Sequence, residues 1–130
     1  MERSRTHYRI VVALALCMVI TACAAKKPVS GSANQFDSDT YLTLVTTDTL
    51  IQATKAQLAT GAFPVNIAGN VKTALNDLIV AYDAANTAWL AYHTSALAGM
   101  ATQAQINVVN GTINNVNVST VTLVSVKGAH

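Results

Sequence analysis

From Cys23 to its end the chain contains no arginine and no glutamate. Its charges there are Lys26, Lys27, Lys55, Lys72 and Lys127 against Asp37, Asp39, Asp48, Asp77 and Asp83, which cancel. The net charge of +2 comes from Arg3, Arg5 and Arg9 against Glu2 near the start. Nucleic-acid binding needs clustered Lys and Arg to neutralise phosphates, and no such cluster lies in the body. Histidine is limited to His7, His93 and His130, and cysteine to Cys17 and Cys23, too few for a Cys/His metal centre. Proline occurs only at 28 and 64, and aromatics make up 5% of residues. The longest apolar run, Ile10–Ile20, falls short of the ~20 residues that span a bilayer as a helix. Gly-rich phosphate loops are absent.

What stands at the front is a basic stretch, the apolar run, and then Ile20-Thr21-Ala22-Cys23. The length suits the core of a signal peptide, and the small residues behind it suit a processing site. These four residues resemble the lipobox of bacterial lipoproteins: an aliphatic residue, two small ones, then Cys. The resemblance covers residues 1–23 only. It implies a signal peptide over 1–22, cleavage between Ala22 and Cys23, and an acyl-bearing Cys23 as the first mature residue. A covalent lipid such as palmitate on Cys23 would be the only attached group, with no cofactor expected. Two or more acyl chains hold a protein stably where one is marginal. Ala24 follows where an Asp would retain the protein at an inner membrane, so the resemblance implies the outer membrane of a bacterial envelope. The alternative is an ordinary secretory signal with Cys23 incidental.

Cys17 would leave with the signal, so no disulfide can form within the mature chain. About 108 residues suffice for one domain with a single core. Ala, Thr, Val and Asn dominate it, so its elements must approach closely. Residues 23–36 read as the acylated Cys and a tether, since Ala24–Gln35 lacks periodicity and carries breakers. Such a segment averages roughly 20 Å end to end when flexible. Lys26 and Lys27 can rest on anionic head groups or simply solubilise it.

Residues 37–130 read as a helical domain. The first helix is expected over Ser38–Thr60, capped by Asp37 or Ser38 and stopped by Gly61. Its stripe is Leu44, Thr47, Ile51, Thr54 and Leu58, with Tyr41 extending it. In the second, Val71, Leu75, Leu78, Tyr82, Ala85, Trp89, Tyr92 and Ala96 keep an unbroken four–three rhythm, a heptad seam. Asn66 is its expected cap and Gly99 its stop. The third segment opens with Thr102-x-x-Gln105, a capping-box spacing. Ile106, Val109, Ile113, Val116, Thr120 and Leu123 continue the same steps. Its Val- and Thr-rich end favours strands, so a β-hairpin across 113–126 is the alternative. The fold expected is all-α: an up-down-up three-helix bundle, with the third helix in the groove of the first two.

Chemistry-bearing residues are sparse. His93 is ten residues from Asp83, about 15 Å along a helix axis, so Asp83 cannot orient it. Asp77 and Asp83 are six apart and point from different faces. Trp89 and Tyr92 are candidate partner contacts, because Trp and Tyr are favoured interface anchors, although their spacing also fits core packing. Phe63, in the apolar loop Phe63-Pro64-Val65, is a third candidate; otherwise it plugs the end of the bundle.

The reading is a non-enzymatic, membrane-anchored envelope lipoprotein that acts through contact with an envelope protein. Self-association remains open, and the anchor's partner is the lipid bilayer. The body is similar in type to small Ala- and Thr-rich lipoproteins of bacteria and prophages. A phage-type accessory acting in lysis or superinfection exclusion is one alternative. A small-ligand carrier with a pocket of Tyr82, Trp89, Tyr92 and His93 is the other.

Overall fold

A computed structural model of the chain describes residues 28–129. Three helices account for most of them: α1 (Gln35–Ala59), α2 (Val65–Leu97) and α3 (Gln103–Lys127), with no strand among the described residues. They run up, down and up. The signal segment, Ala22 and Cys23 lie outside the described residues.

Core placement follows the heptad steps. On α2, Val71, Leu75, Leu78, Ala85 and Tyr92 are buried. On α3, Val109, Val116 and Leu123, each seven apart, are fully buried. On α1, Leu44, Thr47, Ile51 and Thr54 are buried. Buried threonines are tolerated because the helix satisfies their hydroxyls. Thr40 Oγ1 donates to the Phe36 carbonyl at 2.8 Å, and Thr47 Oγ1 to that of Thr43 at 2.8 Å. The Lys127 ammonium donates to Thr54 Oγ1 at 3.2 Å and lies 5.8 Å from the centre of the Phe63 ring. Burial there lowers the Lys127 pKa from its ordinary value. No buried side-chain nitrogen or oxygen lacks a partner among the described residues.

The helix ends explain the boundaries. Gly61 and Gly99 take φ of +69° and +70°, which glycine adopts without strain. The chain then folds back, with Ala62 N–H donating to the Gln57 carbonyl at 2.9 Å and Met100 N–H to that of Ser95 at 2.8 Å. Both expected stops are therefore in place. The Thr102–Gln105 capping box also forms in both directions.

Some expected details are corrected. α1 starts at Gln35, not Ser38, because the Asn34 side chain accepts from Asp37 N–H and is the true cap. Asp37 and Ser38 lie inside the first turn. α2 starts at Val65 behind Pro64, whose missing N–H costs nothing there, so Asn66 is not a cap. α3 stays helical to Lys127, and no hairpin forms over 113–126. Its buried heptad positions outweigh the strand preference of Val and Thr. α2 is the central helix: α3 runs along it, and α1 and α3 meet in few places. The third helix therefore lies on α2 more than in the groove between the other two.

Thr102→Ala removes the hydroxyl that accepts from Gln105 N–H and should cost about 1 kcal/mol. For a domain of this size that lowers Tm by about 4–8 °C. Thermal unfolding followed by circular dichroism checks it; an unchanged Tm would show that α3 does not need the box.

Candidate functional site

Asp37 is fully buried in the first turn of α1. An acid at that position is favoured by the positive end of the helix, but a buried carboxylate also needs direct donors. It has three. Its Oδ2 accepts from Ala33 N–H at 2.8 Å and lies 2.7 Å from His93 Nδ1. Its Oδ1 accepts from the Trp89 indole N–H at 2.8 Å. Two donors come from α2, one turn apart, so both rings converge on one point.

Rings and hydroxyls build outward from this carboxylate. Trp89 stacks on His93 with centroids 5.1 Å apart, and Tyr41 leans on Trp89 at 5.5 Å. Tyr92 sits edge-on to Phe36 at 5.0 Å, and its hydroxyl accepts from Asn34 Nδ2 at 2.8 Å. Ser38, also buried, accepts from Val29 N–H at 2.8 Å. Residues 29–33 are thus fastened to the bundle from two sides. The part of the expected tether from Val29 onward is folded onto α1 and α2.

This fastening borders an open cleft of about 260 Å³ lined by Val29–Ser32, Tyr41, Trp89 and His93. An aspartate on Nδ1 orients an imidazole and leaves Nε2 as its acid or base. The His93 side chain is 24% exposed, so that chemistry has access to solvent. Ser30 and Ser32 line the same cleft, yet neither hydroxyl is hydrogen-bonded to His93. The arrangement is an oriented histidine beside a carboxylate, without an activated nucleophile. Among the described residues no group of three metal-type ligands converges.

The sequence candidates separate. Trp89 is half-buried and belongs to the cluster. Tyr92 is only 2% exposed, so its ring is core and presents no surface to a partner. Phe63 is half-buried, packs on the core and plugs the far end of the bundle. Tyr82 and Tyr92 do not line the cleft that Trp89 and His93 share. Burial, then the negative charges of Asp48 and Asp83, raise the Tyr82 pKa above its ordinary value. Asp83 is not the partner of His93; Asp37, 56 residues away in the chain, is. Sequence reasoning saw Asp37 only as a cap. Its position in a first turn was the available signal, and nothing local showed its partners on α2.

Comparison with known protein families, curated proteins and solved structures finds no match to this chain.

Asp37→Ala strands three donors and should lower stability by about 3 kcal/mol. Asp39→Ala, on the exposed side of the same turn, should change it by no more than about 0.5 kcal/mol. Urea unfolding monitored by Trp89 fluorescence separates the two; equal losses would remove Asp37 from its central place.

Proposed function

We propose that this chain is a membrane-anchored lipoprotein of a bacterial envelope, most consistent with the outer membrane, and that its bundle is a non-enzymatic module for protein contact. The observation that carries the reading is Ile20-Thr21-Ala22-Cys23 behind an apolar run with a basic front. Covalent lipid on Cys23 is the anchor, and the bilayer is the first partner.

The fold adds an orientation to this reading. Val29 is hydrogen-bonded to Ser38. Six residue steps separate it from Cys23, and a chain reaches at most about 3.6 Å per residue, roughly 20 Å in all. An acylated Cys23 would hold the Asp37 end of the bundle near the head groups and point Phe63 away. Confinement to one surface raises the local concentration of the bundle for partners there.

Support for protein contact comes from apolar side chains the core does not use. Leu90 and Leu97, seven apart on α2, are 48% and 59% exposed. Val118, Val121 and Val124 on α3 are each more than half exposed. Exposed apolar groups gathered on helix faces suit an interface with an envelope protein.

Mass spectrometry of the protein from the envelope fraction should find Cys23 as the first residue with a diacylglyceryl group on Sγ. Cys23→Ser should abolish both the lipid and cleavage before residue 23. A mature chain beginning elsewhere, or one with no lipid on Cys23, would overturn the proposal.

A further inference from the structure

A second concavity lies at the opposite end from Asp37, between the last turns of α1 and the first turns of α2. It is a shallow, open groove of about 570 Å³. Leu58, Leu75 and Ile79 supply apolar surface, and Ala68 and Gly69 leave it open. A Cβ built on Gly69 meets nothing within 4 Å. Glycine in a helix costs about 1 kcal/mol against alanine, and no close packing requires it at position 69.

Charge gives the groove its selectivity. The described residues hold three lysines, Lys55, Lys72 and Lys127. Two of them, Lys55 and Lys72, line this groove. Among the described residues the one contact of this kind is His93–Asp37, so neither lysine has a carboxylate within 4 Å. In a body so poor in charge, two cations beside an apolar trough match a ligand with an apolar tail and an anionic head.

We propose that this groove binds a long-chain carboxylate, its alkyl tail on Leu58, Leu75 and Ile79 and its carboxylate paired with Lys55 and Lys72. A carboxylate between two ammonium groups gains charge-assisted hydrogen bonds. Each buried methylene adds about 0.8 kcal/mol of transfer free energy, so affinity rises with chain length until the groove is filled. The site is independent of acylation at Cys23 and distinct from the Trp89–His93 cleft.

The test uses the full chain with Cys23→Ser, purified without detergent so that no acyl group competes. It is titrated with 11-(dansylamino)undecanoate below the micellar range, and the probe is then displaced. Saturable one-to-one binding is expected, with dodecanoate displacing the probe at least tenfold better than dodecanol and propionate failing to displace it. Lys55→Glu with Lys72→Glu should weaken binding tenfold or more. Gly69→Leu, which fills the groove, should do the same while Tm holds or rises, because leucine is the better helix former. Absence of saturable binding would overturn the proposal. So would unchanged affinity in both sets of variants, or loss of binding on Trp89→Ala instead.

Discussion

The buried carboxylate of Asp37 is the constraint on which the arrangement of this protein depends. A charge removed from water must be met by fixed donors, and removing one partner of such a group is costly. Here Ala33 N–H, the Trp89 indole and the His93 ring meet it from three positions in the chain. One interaction therefore sets which turn of α2 lies against the start of α1 and where the segment before α1 rests. The Asn34 cap and the Ser38–Val29 bond close the same region. The first turn of α1 is a junction as well as a helix start.

Cohesion and registration are divided between two kinds of contact. The apolar seam supplies cohesion through residues repeating every seven, among them Val71, Leu78, Ala85 and Tyr92 on α2. A repeating seam resembles itself after a shift of one heptad. Such a slip of α1 along α2 would carry Asp37 away from Trp89 and His93 and leave the charge unpaired. Registration is thus held at the polar end as well as by the short link of residues 60–64. The far end is closed differently, by Phe63 and by Lys127 reaching Thr54.

Much of the architecture was legible in the sequence because helical periodicity is a local signal. The stripe from Leu44 to Leu58, the seam from Val71 to Ala96 and the steps from Ile106 to Leu123 all turn inward in the fold. The Gly61 and Gly99 stops and the Thr102 box were legible for the same reason. The start of α1 was not, because Asn34 stands among residues that read as linker. The partners of Asp37 lie 52 and 56 residues away, and no spacing rule connects them. Tyr92 fits a surface aromatic or a core one by spacing alone; burial against Phe36 decides it. The groove flanked by Lys55 and Lys72 joins two helices and has no signature within either.

The proposed lipid on Cys23, taken with the Asp37 junction, would give the bundle one orientation at a membrane. Trp89 and Phe63 mark opposite ends of the bundle; α2 rises about 36 Å between Val65 and Trp89 at 1.5 Å per residue. The most direct measurement is energy transfer from tryptophan to a dansyl-labelled head-group lipid, in vesicles carrying the acylated protein. Trp89 is the only tryptophan in the chain, and Phe63→Trp with Trp89→Phe moves the donor to the other end. Strong transfer from Trp89 and weak transfer from position 63 is the predicted result. Equal transfer from both, or stronger transfer from position 63, would contradict it.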